Sequence, residues 1–365
     1  MDPMQRALSL ARQALGRTSP NPAVGAVLVK DGRVVGEGYY RGPGSAHAEV
    51  AALRRAGEAA RGATMYVTLE PCCHQGRTPP CTRAILKAGV REVRFPHLDP
   101  DSKVCGRGRA ELESAGVRVV IGEGEREARR INEAYIKQRT SGLPFVTAKF
   151  AASLDGKIAA ASGDSRWVSG RQARQWAQRQ RALIDAILVG VNTVLLDDPQ
   201  LTARPGGRLA RRQPLRVVAD SRGRTPASAR VLQGSAPTLV ATTEASRPAW
   251  RKAMASAGAE VALLPTDPEG RVDLPSLLRL LGERDLVSLL VEGGGELLGS
   301  FFDQGLVNKV QAIVVPAIVG GTSFTAVAGR GVQRMAEALR LHEVEVERLG
   351  ADLLVTGYTR RQTFE

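Results

Sequence analysis

The chain has 365 residues, 43% of them apolar, enough for two hydrophobic cores and too ordinary a composition for disorder. No apolar run approaches the roughly 18 residues of a membrane span, and residues 1–6 lead into an amphipathic helix without the continuous apolar core of a signal peptide. A net charge of +14 suits nucleic acid or anionic small substrates, but the basic residues are scattered, and aromatics at 4% are too few for a base-stacking platform.

In chain order, residues 5–15 predict a helix and Thr18-Ser19-Pro20-Asn21-Pro22 a turn. Strands are expected at 24–29 and 34–40, joined by a hairpin through Lys30-Asp31-Gly32-Arg33. A helix is expected over 47–60, with Glu49 in its first turn. Strand 63–69, helix 81–88, strand 90–95, helix 107–115 and strand 117–121 then alternate, which predicts a largely parallel sheet covered on both faces. A long polar helix over 124–139 runs to Ser141-Gly142-Leu143-Pro144. That break is the expected boundary between a domain of residues 1–142 and one of 143–365.

The second half is again α/β, with strands expected at 145–151, 186–190, 215–220, 238–242, 261–264 and 287–292, then at 310–318 and 353–358. The sixth of these runs into Glu292-Gly293-Gly294-Gly295-Glu296 and a helix from 296 to about 304. Glycines there let a pyrophosphate approach backbone N–H groups at the positive end of a helix; a tight strand-to-helix turn would use the same glycines. The spacing is not that of a Rossmann loop.

Chemistry concentrates in the first half. His47-Ala48-Glu49 is answered by Pro71-Cys72-Cys73-His74-Gln75-Gly76-Arg77-Thr78-Pro79-Pro80-Cys81, where Pro71-Cys72 is expected to end a strand and open a helix. One imidazole and two thiolates suit zinc and leave the fourth tetrahedral position for water, the catalytic arrangement. Glu49 is close enough in sequence to shuttle a proton of that water without binding the metal. Three of the four cysteines lie between 72 and 81, so a disulfide framework is not expected, and the chain reads as reduced and cytoplasmic.

His-x-Glu followed by Pro-Cys matches the zinc-deaminase signature. Eight residues rather than two separate Cys72 from Cys81, and that insertion resembles the N-terminal deaminase of the bifunctional riboflavin-biosynthesis deaminase/reductase family. In the second half, Ala152-Ser153-Leu154-Asp155-Gly156-Lys157-Ile158 resembles the opening of dihydrofolate-reductase-like domains, so the resemblance covers essentially the whole chain. It implies a cytidine-deaminase-like αβα domain followed by a dihydrofolate-reductase-like α/β domain. The first would deaminate 2,5-diamino-6-(5-phosphoribosylamino)pyrimidin-4-one, and the second would reduce the ribosyl group of the product to ribityl with NADPH.

Residue by residue, the resemblance gives one zinc to His47, Cys72 and Cys81, not to Cys73 or His74, and the proton relay to Glu49. Cys105 is read as structural. Asn21 would bond the pyrimidine edge, an equally good reading being a plain Asn-Pro turn. Asp99-Pro100-Asp101-Ser102 departs at Asp101 and Ser102 from a family stretch that usually runs Asp-Pro-Asn-Pro. Cofactor positions are Ala151, Trp167, Thr193, Asp197, Ser221, Gly293, Gly294, Gly295 and Glu296. Substrate positions are Ser165, Arg181, Leu201, Arg204 and Glu292. Arginine suits phosphate because its planar fork donates two parallel hydrogen bonds, and Arg222 beside Ser221 would meet the 2′-phosphate that distinguishes NADPH. Neither nucleic acid nor membrane is expected as a partner, and a homo-oligomer is open. The alternative is a nucleic-acid base deaminase with a C-terminal RNA-binding module, for which the charge would be the footprint.

Overall fold

A computed structural model describes residues 2–76, 79–165, 168–322 and 324–361. The chain divides into two compact units, Met1–Gly142 and Leu143–Glu365. The first contains helix α1 (Pro3–Arg12), strands β1 (Gly25–Lys30) and β2 (Arg33–Tyr39), helix α2 (Ala48–Ala56), strand β3 (Thr64–Val67), helix α3 (Cys81–Lys87), strand β4 (Glu92–Phe95), helix α4 (Arg107–Ser114), strand β5 (Arg118–Ile121) and helices α5 (Glu125–Ile131) and α6 (Glu133–Ser141). Its sheet runs β2-β1-β3-β4-β5.

Small residues bring the helices close to this sheet. Asp2 caps α1 by accepting from the Gln5 N–H, and Met4, Ala7, Leu8 and Ala11 form its buried stripe. A Cβ on Gly25 would stand 2.1 Å from the Ala7 carbonyl oxygen. The same device seats α2, whose Ala48, Ala52 and Ala56 are buried. A Cβ at Gly36 would lie 2.4 Å from the Ala52 oxygen, and one at Gly38 would lie 2.6 Å from the Ala51 Cβ. Larger residues at these positions would lift the N-terminus of α2, and His47 with it, off the sheet.

The second unit contains β6 (Phe145–Ser153), α7 (Arg171–Arg181), β7 (Ala186–Gly190), α8 (Val191–Asp197), β8 (Leu215–Ala219), β9 (Thr238–Thr242), α9 (Pro248–Ser256), β10 (Glu260–Leu263), α10 (Leu274–Glu283), β11 (Ser288–Glu292), α11 (Gly295–Asp303), β12 (Lys309–Val315), β13 (His342–Leu349) and β14 (Asp352–Tyr358). The sheet order is β10-β9-β8-β7-β11-β6-β12-β14-β13, parallel from β10 to β12 and antiparallel through β14 and β13. Both faces of its centre are covered, so the strands read as apolar runs. Leu277, Leu281, Leu298 and Phe301 from α10 and α11 pack on Ala148, Leu188 and Val291. Val194 and Met254 from α8 and α9 pack on Ile187, Val189, Val218 and Val240.

Four sequence expectations need correction. The first sheet is mixed, because β1 pairs antiparallel with both β2 and β3 and only β3, β4 and β5 run parallel. The long helix over 124–139 is two helices that meet at Asn132 (φ −108°, ψ 20°), whose buried side chain accepts from the Ala23 N–H and donates to the Ala23 carbonyl. Pro71-Cys72 neither ends a strand nor opens a helix: β3 stops at Val67, and α3 begins at Cys81, just after Pro80. Strand β13 was not expected, and β12 ends at Val315 because residues 316–320 leave the sheet.

With a separate core in each unit, residues 1–142 expressed alone are expected to unfold in one cooperative thermal transition. A fragment without a transition would mean that its core depends on the rest of the chain.

Candidate active sites

His47 is the N-cap residue of α2, in extended conformation, which leaves Ala48 and Glu49 in the first turn with Glu49 buried at 4% exposure. Cys81 opens α3, and Cys72 lies in the loop after β3. The Cys81 backbone N–H donates to the Cys72 sulfur at 3.4 Å, so a helix-start amide that would otherwise lack a partner fixes the loop. His47 Nδ1 lies 3.2 Å from Cys81 Sγ and 3.6 Å from Cys72 Sγ. All three donor atoms fall within 4.8 Å of one another. Zinc with nitrogen at about 2.0–2.1 Å and sulfur at about 2.3 Å in a tetrahedron sets N and S about 3.5 Å apart. The set therefore fits a tetrahedral zinc and supplies three of its four ligands.

The electrostatics agree. A hydrogen bond from Cys81 and a second interaction with His47 hold the Cys72 thiol down at about 4, while the same bond and burial hold the proton on Cys81. The His47 pKa is raised, first by its bond to Cys72. Burial, and then the Cys72 charge, raise that of Glu49. Two sulfurs and a carboxylate crowded out of water are short of positive charge, which is what a divalent cation supplies.

Neighbouring loops are held by residues the motifs did not reveal. Buried Glu70 accepts from the N–H groups of Asp99, Gly106 and Arg109, each at 3.0 Å. A Cβ on Gly108 would sit 2.1 Å from the Pro71 oxygen. Helix α6 and the residue before it hold the Asn21 loop, assigned to substrate by resemblance, and the Asp99–Ser102 stretch that departs from the family: Asn132 binds Ala23, the Tyr135 hydroxyl donates to Asp99, and Arg139 lies 3.8 Å from Asp101. Asp101, the departure from the family stretch, is thus compensated by Arg139 and accepts from the Lys103 N–H. Asn21 donates to the Tyr40 hydroxyl. Cys73 is half-buried; Cys105 is exposed, which contradicts the structural role expected of it.

In the second unit a cavity of about 1050 Å³ is lined by the ends of β6, β7, β8 and β11 and by the segments that follow them. This is at the top of the range for small-molecule sites, roughly 300–1,000 Å³, and has room for a dinucleotide and a second ligand. Ala151, Ser165, Arg181, Thr193, Asp197, Leu201, Ser221, Glu292, Gly293, Gly294, Gly295 and Glu296 all line it. Trp167, like Arg166, lies outside the described residues. Arg204 is not among the lining residues: its guanidinium bonds Thr202 and Gln200 in its own loop.

Ser165, expected at substrate, donates to Asp197, expected at cofactor, at 2.8 Å. Ser221 accepts from the Val272 N–H. Arg181 and Glu292, both expected at substrate, hold each other through two bonds of 3.1 and 2.5 Å. Burial opposes ionisation of Glu292, yet the charges of Arg181 and Lys149 overcome it and hold the carboxyl at about 2. Lys149 lines the same cavity, and its pKa is lowered by burial. It is the one cation in the apolar strand β6, a legible signal that the motif reading passed over.

The three glycines differ in kind. Gly293 and Gly294 have φ of 72° and 58°, the left-handed region, and face the Thr193 side chain. Gly295 is ordinary in backbone, but a Cβ there would stand 2.3 Å from the Thr325 oxygen. Glycine at 295 is required by the protein's own packing, while at 293 and 294 it is required by backbone conformation.

The family described as cytidine and deoxycytidylate deaminase zinc-binding region matches residues 2–96, and the RibD C-terminal domain matches residues 144–355. The riboflavin biosynthesis protein RibD of Aquifex aeolicus is 41% identical over 355 residues, covering 96% of each chain. That of Escherichia coli is 40% identical over 362 residues, also 96% of each. The chain belongs to the RibD family of bifunctional riboflavin-biosynthesis enzymes. Among solved structures, Acinetobacter baumannii RibD superposes with a TM-score of 0.87 at 38% identity over 98% of this chain and 97% of that one. A Thermotoga maritima diaminohydroxyphosphoribosylaminopyrimidine deaminase/5-amino-6-(5-phosphoribosylamino)uracil reductase gives 0.85 at 36% identity, with the same coverage. Both expected halves, deaminase and reductase, are therefore present, and the two domains imply a zinc ion and a nicotinamide cofactor. Among the described residues no helix is long and apolar enough to cross a membrane.

The glycine geometry predicts that Gly295→Ala overpacks the turn and destabilises the second unit by about 1–3 kcal/mol, while zinc content is unchanged. A melting temperature equal to wild type would show that the contact with Thr325 yields freely.

Proposed function

We propose that the first domain deaminates 2,5-diamino-6-(5-phosphoribosylamino)pyrimidin-4-one and that the second reduces the ribosyl group of the resulting 5-amino-6-(5-phosphoribosylamino)uracil to ribityl with NADPH, in a cytoplasmic setting. The observation that carries the reading is the buried Glu49 beside His47, Cys72 and Cys81. His47, Cys72 and Cys81 hold the zinc. When bound, it supplies a Lewis acid that lowers the pKa of water toward about 7. Glu49 takes the water proton and returns it to the departing amine, a role suited to a carboxyl whose pKa burial has raised.

In the reductase, hydride addition to C1′ opens the ribose ring and requires one proton at the ring oxygen. The nicotinamide supplies the hydride when bound. Lys149, lining the cavity with its pKa lowered, supplies the proton, and Glu292 with Arg181 orients the ribosyl hydroxyls. Gly293, Gly294 and Thr193 receive the pyrophosphate, with Ala151, Asp197 and Glu296 along the cofactor. Ser165 and Leu201 adjoin the substrate, and Arg204 reaches its phosphate by leaving Gln200. Arg222, on the cavity wall after Ser221, meets the 2′-phosphate.

Glu49→Gln is expected to keep one zinc per chain and lose deamination by about 10²–10⁴-fold, the usual worth of a positioned acid–base group. Near-normal turnover by a zinc-loaded variant would remove Glu49 from the mechanism. Arg222→Ser is expected to weaken NADPH binding by about ten- to a hundredfold and leave NADH unaffected; equal affinities for the variant and wild type would place the 2′-phosphate elsewhere.

A further inference from the structure

Tyr40 follows the last residue of β2, and its backbone N–H donates to the Val24 carbonyl at 2.9 Å. The ring is buried at 6% exposure and stands edge-on to the His47 imidazole, centroids 5.4 Å apart and planes at 74°. Its hydroxyl accepts from Asn21 Nδ2 at 2.8 Å. A phenol has one proton to donate besides the lone pairs it offers, and an asparagine amide has one carbonyl oxygen. With Nδ2 bonded to the phenol, the pair keeps one acceptor, Asn21 Oδ1, and one donor, the Tyr40 hydroxyl proton, on a ring that packs edge-on against a metal-ligand imidazole.

An acceptor beside a donor is the complement of a lactam edge, a ring N–H next to a C=O. We propose that Tyr40 is a specificity-determining residue of the deaminase. With Asn21 it reads the N3–H and 4-oxo edge of the pyrimidin-4-one, Asn21 Oδ1 accepting from N3–H and the Tyr40 hydroxyl donating to O4. This inference rests on the deaminase reading above. The reacting C2 adjoins N3, so the two contacts fix the ring one atom away from the bond that breaks. A cytosine-type ring flanks its reacting carbon with a bare nitrogen on one side and a C–H on the other, so in neither orientation does it offer Asn21 Oδ1 an N–H. Such rings are disfavoured by the contacts they cannot make.

Tyr40→Phe keeps the ring against His47 and removes only the hydroxyl. Zinc content and melting temperature are expected to stay at wild-type values, while KM for the diaminopyrimidine phosphate rises about five- to a hundredfold, the worth of an acceptor left unpaired in a desolvated site. An analogue without the 4-oxo group, whose ring nitrogen carries no hydrogen, should compete weakly against wild type and no more weakly against Tyr40→Phe. Asn21→Asp, at an exposed position, gives the hydroxyl an acceptor that draws its proton away from the substrate; the same rise in KM is expected. It serves as the test if Tyr40→Phe fails to fold. An unchanged KM in the folded, zinc-loaded variants overturns the inference, and so does an equal loss on substrate and analogue. Wild type that does not deaminate the pyrimidine at all overturns the proposed function, a different outcome from turnover with an indifferent Tyr40.

Discussion

Three metal donors and a carboxylate are forced into one dry place, and most of the first domain serves that arrangement. Without a cation, the bond between the two sulfurs lowers the Cys72 pKa and keeps the proton on Cys81, while burial raises the Glu49 pKa. The closeness follows from backbone contacts too tight for any larger residue. Gly36 and Gly38 let α2 lie on β2, and Gly108 lets α4 lie on Pro71. These contacts set the positions of His47 and Cys72 before any ligand arrives. Metal affinity and fold stability are therefore linked, because an ion that binds only the folded site stabilises it by mass action.

The second domain solves a different problem. It lines a cavity with the C-terminal ends of parallel strands, where backbone groups and charged side chains converge. Its central charges are already paired: Arg181 with Glu292, and Lys149 close enough to bias both. Arg181 is thus a partner of Glu292 first, and the site carries its anion ready-made. Leu201 is held at φ 51° in the wall, an uncommon conformation for leucine that its buried packing sustains.

Much of this was legible because the chemistry is local in sequence. His47 and Glu49 lie two apart and Cys72 follows a strand, so the donor set could be read without knowing the fold. Strands 186–190 and 238–242 agree with the structure to the residue, since runs buried on both faces leave little ambiguity. What stayed hidden depends on distant partners. Nothing near Asn132 says that its amide will pair with Ala23, 109 residues earlier, and that pairing is what breaks the helix. Nothing near Asp101 names Arg139 as its counter-charge. Strand β13 alternates Glu and Val at the sheet edge with most of its length exposed, and so lacked the one-sided burial by which strands are recognised. The glycines 293–295 looked alike in sequence, yet two answer to backbone conformation and one to a neighbouring carbonyl.

The proposed zinc of the first domain is held by His47, Cys72 and Cys81, with one position left for water. X-ray absorption at the zinc edge of the purified, metal-loaded chain tests it directly. Two sulfurs at about 2.3 Å and two nitrogen or oxygen donors at about 2.0–2.1 Å are expected. A shell of three sulfurs, which would bring in Cys73 and close the site, or a shell with fewer than two, would contradict it.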